Sequence, residues 1–347
     1  MKFSQLKNIP QKVSNICLGT MTFGEQNSIE ESHAILDASW EREVNFFDTA
    51  EMYPIPPRRE THHRTEEILG KWDKFHAERE NIVMATKVIG PSEMMKYIRD
   101  GEHELNKKNI HHALEGSLRR LQTDYVDLYQ IHWPARETNF FGRRGYNCPS
   151  TKTDSDELKI TLEALAELVE SKKVRAIGLS NETPWGVMKF QQLAREFDLP
   201  VMSTIQNPYS LLNRTYEVGL AEVSFQEEIY LIPYSPLGFG VLTGKYLEGR
   251  STPRDRLNLW NSYSRYSNPN AKRATQQYLD LAKSRGMSLT ELALAFVNTR
   301  PFVASTIIGA TTVEQVIENI NTADIELDSE LLSEINKIHE ENPNPSP

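Results

Sequence analysis

Cysteine is almost absent. Cys17 and Cys148 are the only two in 347 residues and have no paired spacing, which excludes a disulfide framework and the usual cysteine-based zinc sites. Long hydrophobic runs are missing too. No stretch approaches the ~20 apolar residues that span a bilayer, and residues 1–10 carry no apolar segment of the kind a secretory signal needs. We therefore expect a soluble protein of the cytoplasm. Positive charge is in deficit: 39 Lys and Arg against 48 Asp and Glu give a formal charge of −9, which argues against general nucleic-acid binding. That deficit still allows local basic pockets for a phosphorylated ligand. What remains is an ordinary globular balance, 39% hydrophobic and 25% charged, in a chain long enough to bury a large core without cross-links.

Short apolar, β-branched runs occur at 16–20, 45–48, 82–87, 126–132, 176–180, 202–206, 229–235 and 305–308. Helical spacing fills the intervals at 30–43, 65–76, 109–121, 157–171, 183–196, 216–227, 270–285, 288–299, 313–323 and 328–340. Strands that alternate with helices form a parallel sheet. Eight such units in one chain of this size favour closure over an open sheet. The expected fold is thus α/β, a single (β/α)8 TIM barrel over residues 1–342 with long loops at the C-terminal face. Residues 2–13 fit a hairpin across the barrel floor. Residues 343–347, with three prolines and no apolar anchor, are expected to be a disordered tail. The connections 52–64, 133–156 and 236–269 are too long for simple turns, and each follows a strand. Trp133, Phe140, Phe141 and Tyr146 in the second of them form a substrate-pocket wall or simply pack the loop onto the barrel.

The residues that close successive strands are polar, although the strand interiors are apolar. They are Asp48 with Tyr53 just beyond it, Lys87, His132, Ser180-Asn181, Gln206-Asn207 and Tyr234-Ser235. In a barrel these positions converge on one mouth. Meeting water explains polarity at strand ends, but not this set of an acid, a tyrosine, a lysine and a histidine. A tyrosine of ordinary pKa ~10 is a poor proton donor near neutrality. An ammonium from Lys87 lowers it, Asp48 keeps that ammonium charged, and His132 donates to a substrate oxygen. A tuned acid with an oxyanion donor and no nucleophile suits carbonyl reduction, with hydride from a cofactor.

Ser180, Asn181 and Gln206 match a carboxamide, and Tyr234 offers a face to a flat ring. Lys245 and Arg256 lie in the loop after strand seven and suit a phosphate. Gly309-Ala310-Thr311-Thr312 leads into a helix N-terminus, which favours an anion. No Gly-x-Gly-x-x-Gly follows the first strand, and residues 238–244 have the wrong spacing, so a Rossmann-type site is excluded.

These motifs resemble the aldo-keto reductases from about Ile16 to about Ile338. They comprise Asp48-Thr49-Ala50 with Tyr53, Lys87, Leu128-Tyr129-Gln130-Ile131-His132-Trp133-Pro134, Ile177-Gly178-Leu179-Ser180-Asn181, Tyr234-Ser235-Pro236-Leu237-Gly238 and Gly309-Ala310 with Gln315 and Glu318-Asn319. The segments 19–27 and 206–214 resemble the bacterial Tas-like branch in particular, and potassium-channel β-subunits look like more distant relatives. The resemblance implies NADPH lying extended across the barrel mouth and hydride transfer to an aldehyde or ketone, with Tyr53 as acid. It implies Tyr234 on the nicotinamide, Ser180, Asn181 and Gln206 on its carboxamide, and Ser235, Leu237 and Gly309 along the cofactor. Lys245, Arg256, Gln315 and Asn319 would lie near the adenosine 2′-phosphate. Better-known members carry Lys-Ser and a later Arg there, where this chain has Gly309, Ala310 and Gln315. The preference for NADPH therefore rests on Lys245 and Arg256.

Other readings of single residues are weaker. His62-His63 and His111-His112 lack a third metal ligand at useful spacing, so no metal is expected. Lys87 is also the residue type of a Schiff-base aldolase. Arg58 and Arg59 fit an acidic substrate or a solvated loop. A barrel that holds NADPH as a regulator, with slow or vestigial turnover, is the alternative function. A glycosidase would need two opposed carboxylates, and Asp48 is committed to Lys87. Neither the physiological carbonyl nor the oligomeric state is legible.

Overall fold

The computed structural model describes residues 1–260 and 264–347. Strands β1 (Phe3–Gln5) and β2 (Lys12–Ser14) pair as an antiparallel hairpin. Eight more strands lie side by side and parallel: β3 (Ile16–Gly19), β4 (Phe46–Asp48), β5 (Val83–Val88), β6 (Val126–Ile131), β7 (Val174–Ser180), β8 (Met202–Gln206), β9 (Tyr230–Leu231) and β10 (Thr306–Ile308). They follow chain order, with β10 beside β3. The two outer edges meet, since the Ala304 N–H donates to the Leu231 carbonyl and the Ile307 N–H to the Pro233 carbonyl, each at 2.9 Å. The ladder thus closes into the expected (β/α)8 barrel.

Twelve α-helices among the described residues surround it: α1 (Ile29–Trp40), α2 (Arg64–Gly70), α3 (Asp73–Ala77), α4 (Lys107–Leu121), α5 (Ser155–Glu170), α6 (Pro184–Glu196), α7 (Leu220–Glu227), α8 (Arg256–Leu259), α9 (Pro269–Ser284), α10 (Leu289–Asn298), α11 (Val313–Ile320) and α12 (Ser329–Glu341). None is long and apolar enough to cross a membrane. Their starts are written locally. Ser28 with Glu31 and Ser288 with Glu291 form capping boxes for α1 and α10. Thr183-Pro184 and Asn268-Pro269 each place a capping oxygen before a proline whose missing N–H costs the first turn nothing.

Two apolar layers result. The outer faces of the strands pack on the helices, with Leu36, Leu114, Leu165 and Leu292 fully buried there. The floor of the barrel is plugged by Leu6, Ile9 and Val13 of the hairpin, against Cys17, Phe46, Val83, Leu128 and Ile232. Burying each large side chain contributes about 1.5–3 kcal/mol. The plug closes the end of the barrel opposite the C-terminal ends of the strands.

Four expectations shift in detail. The helix expected at 65–76 breaks into α2 and α3, because Trp72 is extended and turns inward. Its ring meets Phe47 edge-on at 5.2 Å while its indole N–H donates to Asp37 at 2.9 Å. The helix expected at 216–227 starts as a 3-10 turn, Thr215–Val218, and restarts after Gly219. The strand expected at 229–235 is regular only at β9; beyond it Pro233 has no N–H to donate, pairing continues as an isolated bridge between Tyr234 and Pro208, and Ser235 is left-handed at φ 54°. The tail 343–347 is not loose. The Arg214 N–H donates to Asn344 Oδ1 at 2.6 Å, Asn268 Nδ2 to the Pro345 carbonyl at 2.9 Å, and the Ser346 N–H to the Leu212 carbonyl at 3.0 Å. Prolines fix φ in advance, so ordering this segment costs less entropy than an apolar count suggests.

The tightest contact between helices is at Gly70, where a Cβ would lie 2.1 Å from the Arg120 carbonyl oxygen. Gly70→Ala should force α2 away from α4 and cost about 1–3 kcal/mol. Urea unfolding measures it, and an unchanged midpoint would show that the two helices part freely.

Candidate active site

The open end of the barrel is a cavity of about 1690 Å³. At its base, β4 ends in Asp48, and the chain beyond is stitched to β5. The Thr49 N–H donates to the Ala85 carbonyl at 2.9 Å and the Glu51 N–H to the Lys87 carbonyl at 3.2 Å. The buried Glu51 carboxylate accepts from the Ile89 N–H at 2.7 Å and pairs with Arg99. This fixes the short loop that presents Tyr53, a buried side chain at the cavity floor.

Lys87 lies beneath it with no exposed side-chain surface. Its Nζ donates to Asp48 Oδ2 at 2.6 Å and to the Thr49 carbonyl at 2.7 Å, and sits 5.0 Å from the centre of the Tyr53 ring. Burial pulls the Lys87 pKa down, but the charges of Asp48 and Tyr53 and their hydrogen bonds outweigh it, so the amine is held above its ordinary value. A clasped, protonated amine is no Schiff-base nucleophile, which removes the aldolase reading.

Tyr53 departs from expectation in sign. Burial raises its pKa, and the pull of Lys87 in the other direction does not cancel it. The phenol is therefore protonated throughout the neutral range, with the ammonium placed to stabilise the phenolate once the proton leaves. The His132 ring stands 5.7 Å from that of Tyr53 at 80°. Burial, then the charge of Lys87, holds His132 well below the ordinary imidazole value, so it is neutral. Its Nδ1 is buried without a partner among the described residues.

The expected cofactor residues line the same cavity, from Ser180 and Tyr234 to Gly309, Gln315 and Asn319. Many of their polar groups are already engaged. Ser180 Oγ donates to the Gln206 carbonyl at 2.8 Å. Asn181, left-handed at φ 56°, donates to the His132 carbonyl at 2.9 Å and accepts from the Tyr234 hydroxyl at 2.7 Å. Gln206 Nε2 donates to Asp48 Oδ1 at 2.9 Å, leaving Oε1 as the amide's remaining group. Ser235 and Leu237 begin the loop that carries Lys245 and Arg256. Lys245 is paired with Asp255 at 2.5 Å, and Arg256 lies over the Phe239 ring at 5.0 Å. Gln315 Oε1 accepts from the Thr311 N–H at 3.0 Å, bracing the turn into α11, and a Cβ at Gly309 would meet open space.

Trp133, Phe140 and Phe141 form one aromatic wall. Trp133 and Phe141 stand edge-to-face at 5.9 Å, and the indole N–H is anchored on the Pro91 carbonyl at 3.1 Å. Arg58 faces Glu25 at 3.3 Å and Arg59 lies over the Tyr97 ring. His63 Nδ1 donates to the Glu51 carbonyl and His111 Nε2 to that of Ala164.

Sequence reasoning passed over three participants. Gln130, fully buried, donates to Asp48 Oδ1 at 3.2 Å. It lies in β6 two residues before His132, which directly follows that strand, and that parity was the available signal. Glu182, next to Asn181, is gripped by both arms of Arg136. The Glu51–Arg99 pair joins residues too far apart in sequence to be matched by spacing.

The aldo/keto reductase family model matches residues 15–340. The chain is 48% identical to Protein tas of Escherichia coli over all of both chains. It is 33% identical to the uncharacterized oxidoreductase YrpG of Bacillus subtilis over 97% of this chain and 96% of that protein. It is 30% identical to L-glyceraldehyde 3-phosphate reductase of Escherichia coli over 86% and 80% of the two chains.

The ion pair generates a stability prediction. Lys87→Met leaves Asp48 as a buried charge without its counter-ion and should cost about 3–5 kcal/mol. Adding Asp48→Asn should recover part of that loss in urea unfolding. No recovery would mean that Lys87 supports the fold by packing alone.

Proposed function

This chain belongs to the aldo/keto reductase family and is an oxidoreductase, and we propose that it reduces an aldehyde or ketone to an alcohol using NADPH. One observation carries the reading: a protonated Tyr53 above a charged, Asp48-paired Lys87 and beside a neutral His132. The cavity fits such a cofactor, since it exceeds the ~300–1,000 Å³ usual for small-molecule pockets and runs from Tyr53 to the start of α11.

A bound dinucleotide supplies hydride to the carbonyl carbon. Tyr53 gives its phenolic proton to the carbonyl oxygen, which becomes the alcohol. Lys87 offsets the charge left on the phenolate, and Asp48 holds Lys87 in place. His132 directs the oxygen by a hydrogen bond. The aromatic wall of Trp133, Phe140 and Phe141 receives the rest of the substrate and keeps water out. The partner we propose is thus a small carbonyl compound, in the cytoplasm, and no nucleic acid. Turnover of a panel of activated aldehydes separates this enzyme from a barrel that only binds the cofactor.

Tyr53→Phe should lower single-turnover hydride transfer by at least the 10²–10⁴ typical of a general acid, roughly, while cofactor affinity holds. A near wild-type rate removes Tyr53 as the acid. Reduction needs the phenol, so the wild-type rate should fall as pH rises through the Tyr53 pKa.

The proposed preference for NADPH rests on Lys245 and Arg256. Lys245 is paired with Asp255, whose second oxygen accepts from the Thr252 N–H at 2.6 Å. A lost charge-assisted pair is worth roughly 1.5–3 kcal/mol. Arg256→Ala should weaken NADPH about tenfold or more and leave NADH nearly unchanged, read by tryptophan fluorescence quenching. Equal weakening of both would assign Arg256 to loop structure, and equal wild-type affinities would overturn the preference.

A further inference from the structure

Strand β6 carries an amide where barrel interiors usually carry aliphatic side chains. Gln130 is fully buried and sits in register with Lys87 of β5 on one side and Gly178 of β7 on the other. A buried amide has two donors and an acceptor to satisfy. Gln130 Nε2 donates to Asp48 Oδ1 at 3.2 Å, and Gln130 Oε1 accepts from Gln206 Nε2 at 3.3 Å. Gln206 Nε2 also donates to Asp48 Oδ1, at 2.9 Å. The three side chains form a closed triangle below the cavity.

Its polarity follows from chemistry. An ionised carboxylate only accepts, so each amide must turn its NH2 toward Asp48. Gln206 then spends both N–H groups inside the triangle, one on Asp48 and one on Gln130. The carbonyl end of Gln206 is all it has left for a ligand in the cavity it lines.

We propose that Gln130 is a positioning residue that locks Gln206 with its carbonyl toward the cavity, so that the site accepts a carboxamide N–H from the cofactor and ties cofactor seating to the orientation of Asp48. This rests on the reductase reading. Without Gln130, Gln206 loses one of its two anchors and its amide is held by Asp48 alone. Asp48 Oδ1 also keeps one donor instead of two, so the carboxylate beneath Lys87 is less firmly held.

Two full-length variants test it. Gln130→Met keeps length and volume but removes the amide. NADPH and adenosine 2′,5′-bisphosphate, which lacks the nicotinamide, are titrated by tryptophan fluorescence. Gln130→Met should weaken NADPH about three- to tenfold, the effect of one hydrogen bond, and leave the bisphosphate unchanged. Gln130→Glu faces Asp48 with a second carboxylate, which can donate only when protonated. Its kcat should therefore recover relative to wild type as pH is lowered from 8 to 6, which a purely structural defect does not produce. Equal weakening of both ligands, or wild-type affinity in Gln130→Met with no pH-dependent recovery in Gln130→Glu, overturns the proposal. If Gln130→Met does not fold, the pH profile of Gln130→Glu decides. A wild type that binds NADPH but reduces no carbonyl overturns the reductase reading alone, and the titration still judges Gln130. A wild type that binds no dinucleotide overturns both.

Discussion

The buried contact between Lys87 and Asp48 is the constraint around which the barrel mouth is arranged. An ammonium and a carboxylate with almost no access to water are costly unless every remaining polar group is matched. Here they are matched: Lys87 also meets the Thr49 carbonyl, and Asp48 takes the amides of Gln130 and Gln206. The pair thereby fixes where β4, β5, β6 and β8 stand relative to one another. It also sets a positive charge under Tyr53 that cannot leave.

That charge works because the surroundings are dry. Burial keeps the phenol protonated and the imidazole of His132 neutral, so the resting site holds one proton ready to donate. The hairpin plug is part of the same design. Leu6, Ile9 and Val13 seal the floor, so the field of Lys87 acts toward the cavity and not into water.

The end of the cavity proposed for the cofactor is built differently. Asp48 and Lys87 stand on strands, His132 directly follows one and Tyr53 sits on a short loop stitched to β5, whereas Lys245 and Arg256 stand on a long loop with helices of only a few residues. The Lys245–Asp255 pair and the Thr252 turn give this loop a definite shape. Gln315, in turn, braces the start of α11 through Thr311.

The sequence by itself determined the barrel and its polarity, because helical and strand periodicities are local and β/α alternation admits few topologies. It also determined which side chains stand at the mouth, since strand parity decides which residues point inward at a strand's end. Asp48, Lys87 and His132 were legible for that reason, and Tyr53 by its place just beyond the end of β4. Tertiary structure alone decided how charge and protons are distributed among them. The pKa of Tyr53 rises because burial outweighs Lys87, a balance of depth against distance that no spacing encodes. It alone decided that Gln130 and Gln206 share Asp48, that Glu51 finds Arg99, and that the proline-rich tail lies against the Arg214 segment. Each joins groups distant in the chain, and only closure of the barrel and its loops brings them within reach.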